Sequence, residues 1–310
     1  MALPIRVATY NLYLGADLST LLGDVPGDQL TARVKEVQRQ LAATAFPARA
    51  AAIARALVGA KVDLVGLQEV CTWRRDGQPL WDYSRILLDA LDELGEPYDV
   101  VADQSSFRGA GEVERDGRSV PLELQGRNVV IRRRVAGIEV EEARSGSFGA
   151  ALTLPLMGAA QVSIERGWCA ARCVAGGARF TFVNTHTEAY DPASRNSQRA
   201  ELLQVLPEGP LALVGDFNAT PDEVGMPADF RDAWVEAGRQ TDRSSGATCC
   251  QSADLLDQES RLDERIDYVW VRDLAVESCI RIGVHAEDCT ERGQWPSDHA
   301  GVVATLLLEE

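Results

Sequence analysis

The chain has 310 residues, enough to bury a large core, and 45% of them are hydrophobic, ordinary for a soluble globular protein. Its 31 basic and 47 acidic residues leave a net charge of −16. This disfavours bulk duplex DNA as a partner, although a local basic patch could still engage it. No apolar run is long enough for a transmembrane segment, and a strand-like stretch at residue 5 leaves no room for a signal peptide, so one domain over residues 1–310 is expected, located in the cytoplasm.

Residues 5–10 mix apolar and polar side chains with period two, as a strand does, and stop at Asn11. Residues 14–46 form a long connection in which Leu30, Val34, Val37 and Leu41 share one helical face. Pro47 opens a second helix, with Ile53, Ala54, Leu57 and Val58 on one side and Gly59 as its stop. Residues 62–67 are a nearly continuous apolar run, expected of a buried strand, and lead into Gln68-Glu69. Leu87, Ala90, Leu91 and Leu94 make a third helical stripe closed by Gly95. Residues 103–127 are polar and Gly-rich and predict a loop or irregular hairpin, followed by a strand over 128–131. The basic run Arg132-Arg133-Arg134 reads as a solvated strand end. Residues 162–174 and 179–183, around Gly176-Gly177, predict a hairpin. A fourth helix follows over about 192–206, and strands are predicted at 211–214, 266–271 and 302–307. Of the seven Cys, neither Cys169/Cys173 nor Cys249-Cys250 has zinc-site spacing, and buried thiols are expected. Strands and helices do not alternate strictly. That argues against a doubly wound sheet or a barrel and for two sheets packed face to face with helices outside.

Six of the apolar runs end or begin in polar groups: Asn11; Gln68-Glu69; Asn184-Thr185-His186; Asp216 with Asn218; Asp267; and Asp298-His299. If the strands share two packed sheets, these groups can meet at one rim. Mg²⁺ takes hard oxygen ligands, usually one or two carboxylates, and keeps several waters. Glu69 with Asn11, assisted by Asp216 or Asp298, suits it. A metal so held polarises a phosphoryl oxygen, and a His backed by a carboxylate serves as acceptor for the proton of an attacking water. The chain has only three His, and two lie in these motifs; His285 has no motif around it and reads as structural.

In this order, Thr9-Tyr10-Asn11, Leu67-Gln68-Glu69-Val70, Val183-Asn184-Thr185-His186, Gly215-Asp216-Phe217-Asn218, Arg265-Ile266-Asp267-Tyr268 and Ser297-Asp298-His299 resemble the endonuclease/exonuclease/phosphatase superfamily, of DNase-I-like fold. The resemblance runs from residue 9 to 299. It implies a four-layer α/β/β/α sandwich of two mostly antiparallel sheets flanked by helices, and dependence on Mg²⁺ or Mn²⁺. Asn11, Glu69 and Asp298 resemble metal-site residues. Asp216 and Asn218 resemble the pair that handles the attacking water and the phosphate. His299 backed by Asp267 resembles the catalytic dyad. His186 resembles the second histidine of the nuclease and lipid-phosphodiesterase branches. Gly126-Arg127-Asn128 departs from the family's pattern, and Arg127 is either a phosphate contact or a surface residue.

The activity expected is metal-dependent hydrolysis of a phosphoester, with a small phosphorylated substrate, a lipid headgroup or a nucleotide as partner. The alternatives are a nuclease acting on DNA or RNA, an enzyme recruited to a dedicated metabolic pathway, and a ligand-binding module without turnover. The same scaffold serves several of these chemistries, so the fold does not choose among them.

Overall fold

The computed structural model describes residues 2–22, 26–115, 118–156, 160–239 and 246–309. Strands and helices are numbered in chain order. The first sheet has eight strands, ordered β15 (Ala275–Ile282), β16 (Gly301–Leu308), β1 (Leu3–Asn11), β2 (Leu64–Gln68), β6 (Arg118–Arg133), β3 (Thr72–Arg75) and β4 (Gln78–Asp82), with β5 (Tyr98–Arg115) also paired to β6. The second has six, ordered β13 (Arg231–Asp232), β14 (Asp267–Arg272), β12 (Leu211–Asp216), β11 (Ala178–His186), β10 (Gly167–Ala175) and β7 (Ile138–Ser147). A separate two-stranded ribbon joins β8 (Leu152–Leu156) to β9 (Ala160–Ile164). Only β1–β2 and β11–β12 pair in parallel; the other described pairs are antiparallel.

Period-two alternation sorts each strand's side chains between two cores. Phe180 and Phe182 of β11, Ala212 and Val214 of β12, and Val269 and Val271 of β14 face the first sheet, where they meet Ile5, Val7, Leu64 and Val130. Their neighbours Val183, Leu211, Leu213, Tyr268 and Trp270 turn outward, where Leu202 of α4 (Pro192–Val205) joins them. On the other side of the molecule, Tyr10, Val65, Leu67 and Ile131 pack against α2 (Phe46–Gly59) and α3 (Tyr83–Glu93) through Ile53, Leu57, Leu87 and Leu91. Val37 and Leu41 of α1 (Gly27–Ala43) join this layer. Each such side chain contributes about 1.5–3 kcal/mol when fully buried, so the four layers α/β/β/α are held by three apolar seams. A short α5 (Ala233–Glu236) sits beside β13 and β14. Asp82 and Asp191 cap the N-termini of α3 and α4 by accepting from Arg85 N and Ser194 N.

The two sheets approach closely at Gly66 of β2. A Cβ there would lie 2.5 Å from Val214 Cγ2 and 2.8 Å from the Asn184 side chain. Asn184 uses this proximity to cross between sheets. Its amide donates to Leu67 O (2.9 Å) and Val129 O (3.1 Å), and its Oδ1 accepts from Gln68 Nε2 at 2.6 Å. A buried amide so satisfied fixes how the strand ends align.

Of the loop or irregular hairpin expected over residues 103–127, the described residues form the hairpin, between β5 and β6, with register shifts between Val100 and Ala102 and between Ser105 and Arg108; residues 116–117 lie outside the described residues. The structure departs from the sequence expectations in several places. The run 162–174 is not one strand. It divides at Glu165–Arg166, because β9 pairs with β8 whereas β10 pairs with β7 and β11. At the restart, Gly167 passes so close to Gly146 O that a Cβ would lie 2.3 Å from it. Arg132, Arg133 and Arg134 are paired rather than simply solvated, Arg133 with Asp63 at 2.6 Å and the other two with Asp99. Cys249 and Cys250, expected as thiols, form a disulfide. Cys71, Cys169, Cys173 and Cys279 are buried and free. Among the described residues no single helix is long and apolar enough to cross a membrane.

Candidate active site

Strand register brings the polar groups together. In the second sheet β11 and β12 place His186 opposite Asp216, and β12 and β14 place Asp216 opposite Asp267. In the first sheet β1 and β2 place Asn11 opposite Gln68, next to Glu69. Asn11 then reaches across the sheets, and its Nδ2 donates to Asp216 Oδ2 at 3.0 Å. His299, just before β16, holds Nδ1 2.8 Å from Asp267 Oδ2 and Nε2 3.8 Å from Asp216 Oδ2. His186 Nε2 stands 3.5 Å from the same Asp216 oxygen.

The chain leaves the strands through strained backbone. Tyr13, Glu69 and Asn218 take left-handed φ values of 55°, 54° and 47°, a conformation that costs L-residues energy and recurs at functional sites. The turn at Tyr13 lets its N–H donate to Asn11 Oδ1 (2.9 Å), and Leu14 N–H donates to Glu69 Oε2 (2.7 Å). Asn218 N–H donates to Asp216 Oδ1 at 2.9 Å, and its side-chain amide spends one N–H on Thr187 O at 3.0 Å. Both carboxylate oxygens of Asp216 are therefore oriented by donors.

Burial and like charge shape the electrostatics. Asp216 is 1% exposed; its burial and the neighbouring Asp267 push its carboxyl up to about 6, against the opposing pull of His299. Asp298 lies half-buried; desolvation and the Glu69 charge, again opposed by His299, push it to about 7. Burial alone would lower His299, but Asp267, Asp298 and Asp216 outweigh it and raise the imidazole well above its usual value. His186 moves the other way, well below its usual value, through burial, then Arg166, then His299. Among the described residues the buried Asp267 Oδ1 has no hydrogen-bond partner.

This donor set fits a divalent cation. Carboxylates whose ionisation is opposed by burial and by neighbouring negative charge are what a cation would relieve, and the oxygen ligands are those Mg²⁺ prefers. Asn11 Oδ1 keeps a second lone pair beyond its bond to Tyr13. Asp216, Asp267 and His299 also offer ligand atoms within 4.8 Å of one another, although the His299–Asp267 hydrogen bond already engages two of them.

Several contributors carry no signal in the sequence. Arg166, in the break between β9 and β10, brings one guanidinium nitrogen to 3.0 Å from the ring nitrogens of His186. Its Nε lies 3.8 Å from Glu188 Oε2, and both residues are buried. Ser297 Oγ donates to Asn11 O (2.7 Å) and accepts from His299 N (3.2 Å), joining the first and last motifs. Thr248 Oγ1 accepts from Asp267 N at 3.1 Å. Arg49 is fully buried and donates to Leu12 O, Tyr13 O, Thr44 O and Pro296 O, which ties the segments after Asn11 and before Ser297 to α2. Arg127 turns to Ser84 Oγ (2.7 Å), with Asp82 at 3.6 Å. His285 is exposed and precedes a 3-10 turn, accepting no part in the centre.

A model of the Endonuclease/Exonuclease/phosphatase family matches residues 8–299. The chain belongs to the endonuclease/exonuclease/phosphatase family. Family members are phosphoester hydrolases, generally dependent on divalent metal. Similar solved structures include an endonuclease/exonuclease/phosphatase from Bacteroides vulgatus (22% identity, TM-score 0.58, covering 99% of this chain and 100% of that one). Truncated TDP2 of Caenorhabditis elegans has 17% identity and a TM-score of 0.57, covering 98% and 97%. A mannosyl-6-phosphatase of Bacteroides thetaiotaomicron has 19% identity and a TM-score of 0.56, covering 97% and 99%. At these identities the likeness establishes the shared fold. No curated protein matches the chain in sequence.

Proposed function

We propose that this family member hydrolyses a small phosphorylated substrate with the help of Mg²⁺ or Mn²⁺. The carrying observation is the convergence on Asp216 Oδ2 of Asn11 (3.0 Å), His186 (3.5 Å) and His299 (3.8 Å), with Asp267 behind His299 at 2.8 Å. A mannosyl-6-phosphatase and a TDP2 with bound single-stranded DNA product share the fold, which supports phosphoester chemistry and leaves the substrate to this chain's own surfaces. Net charge of −16 favours the smaller of these substrates.

Glu69, Asn11 and Asp298 would hold the cation, which when bound supplies positive charge to the phosphoryl group and to the departing oxygen. Once Nε2 has released the proton that Asp267, Asp298 and Asp216 help it hold, His299, with Nδ1–H donated to Asp267, accepts there the proton of a water that Asp216 orients. The water oxygen bonds to phosphorus as the bond to the leaving oxygen breaks, and the leaving alkoxide ends as the alcohol after gaining a proton. His186, kept neutral by burial and Arg166, donates to a phosphoryl oxygen, as does the free N–H of Asn218. Such donors act strongest when fixed in advance. A screen of phosphomonoesters, phosphodiesters and pyrophosphates with Mg²⁺, against an EDTA control, identifies the bond cleaved. His299→Ala and Asp216→Ala should each lower kcat by about 10³-fold or more while remaining folded. Near-normal turnover in either purified variant would reject the assignment.

A further inference from the structure

Beside the centre lies a cavity of about 180 Å³ whose lining includes Glu69 and Arg166. Those two residues belong to both places. The remaining walls are largely apolar and come from elements the chemistry does not use: Leu18 and Leu21 of a 3-10 turn, Val37 of α1, Trp73 of β3, and Phe107 and Leu122 of the β5–β6 hairpin. The cavity opens to solvent, and a concave, mainly apolar wall beside a few convergent polar groups is the usual form of a small-molecule site.

We infer that the cavity receives an alkyl or aryl group of the substrate, so that the preferred phosphoester carries an apolar substituent rather than a sugar or nucleoside. The inference rests on the hydrolase reading above and names its substrate class. With phosphate held near His186 and Arg166, the rest of the molecule adjoins walls mainly of Leu, Val, Trp and Phe, with Gln38, Glu112 and Tyr190 as the further polar members. Over most of that wall hydroxyls or a base edge would lose their water without gaining partners, whereas methylenes or a ring would gain from burial. The size sets the limit. Apolar cavities of about 150 Å³ accept a benzene ring, so this one takes a single ring or a chain of about six carbons. Such a group leaves with the alcohol if it sits on the scissile oxygen, and stays on phosphate if the substrate is a diester.

Binding and turnover separate this inference from the one beneath it. The full chain with Mg²⁺ is titrated calorimetrically with non-hydrolysable alkylphosphonates from methyl to hexyl, and with phenylphosphonate. Kd should fall about fourfold per added methylene and level off near six carbons. Phenylphosphonate binding as tightly as hexylphosphonate would assign a ring; weaker binding would assign a chain. In Leu18→Gln and Phe107→Gln, neither of which touches the reacting atoms, the methyl ligand should bind as before and the chain-length gain should shrink severalfold. Phosphate release from alkyl phosphates, and alcohol release from methyl alkyl phosphodiesters, are measured in parallel. Turnover with a Kd independent of chain length overturns the cavity assignment and leaves the hydrolase standing. Chain-length-dependent binding without turnover of any ester removes the hydrolase reading instead. Absence of binding by every phosphonate overturns the assignment as well.

Discussion

Replacing Arg49 by Met keeps roughly the volume of the side chain and removes everything that joins its guanidinium to the loops around the centre. Arg49 is 0% exposed and donates at 2.8 Å to Thr44 O, 2.7 Å to Leu12 O, 2.9 Å to Tyr13 O and 3.0 Å to Pro296 O, with Phe46 and Tyr13 rings 5.1 and 5.5 Å from its Cζ. Among the described residues its hydrogen bonds all go to carbonyl oxygens, and the ring faces and the more distant charge of Asp298 add to the compensation of its burial. Hydrogen bonds from a charged donor contribute about 1.5–3 kcal/mol each, but the substitution also releases the desolvation cost of the buried cation. The net loss expected is therefore about 3–5 kcal/mol, the range for removing one side of a buried charged network. In urea, with a slope near 3 kcal/mol/M, the unfolding midpoint should drop by about 1–1.7 M, read by tryptophan fluorescence. Leu12 and Tyr13 follow Asn11, and Pro296 precedes Ser297, so the Mg²⁺ concentration for half-maximal activity should rise in the same variant. Arg49→Lys keeps the charge without the planar fork and should fall between the two. A midpoint shift equivalent to less than about 1 kcal/mol would refute the claim that this side chain braces the centre.

Asp267→Asn should lower kcat by about 10³–10⁴-fold with little change in KM, because the amide cannot hold the His299 tautomer that accepts a proton; steady-state kinetics give the answer, and a loss confined to KM contradicts the dyad. Asp216 and Asp298 titrate near 6 and 7 in the metal-free fold, against about 4 in an unfolded chain. The folded state thus holds protons the unfolded chain has released, and this contribution, complete below about pH 4, is lost as pH rises through 6–7. The melting-temperature gain on adding Mg²⁺ to EDTA-treated protein should consequently grow from pH 5 to 8, and a gain that does not vary with pH argues against these carboxylates at the cation. Gly66→Ala should cost about 1–3 kcal/mol through overpacking against Val214 and Asn184; unchanged urea unfolding would show that the sheets have slack there.

The sequence exposes the elements whose hydrophobic period is strong. Residues 62–67, 211–214 and 302–307 read as strands and are β2, β12 and β16, and the four expected helices are α1 to α4. The polar residues at their ends were visible because a carboxylate such as Asp216 or Asp267 has no reason to end or open an apolar run unless something there needs it. What stayed hidden depends on tertiary contacts. Arg166 sits inside a stretch that reads as one strand, and only the switch of pairing partners at Gly167 reveals the break. Arg49 looks like any surface arginine of an amphipathic helix, since nothing in the chain foretells that Leu12, Tyr13 and Pro296 will surround it. The strands β3, β4, β7 and β15 are short, charged or irregular, and lack a pattern that distinguishes them from loop.

Asn11 and Asp216 meet through a single amide–carboxylate bond although they belong to different sheets. Neither half of the sandwich owns the whole apparatus, so reactivity doubles as a gauge of how the halves are seated. A slip of an ångström along the mid-plane, caused far from any phosphate, would leave the circular dichroism spectrum intact and abolish the proposed hydrolysis.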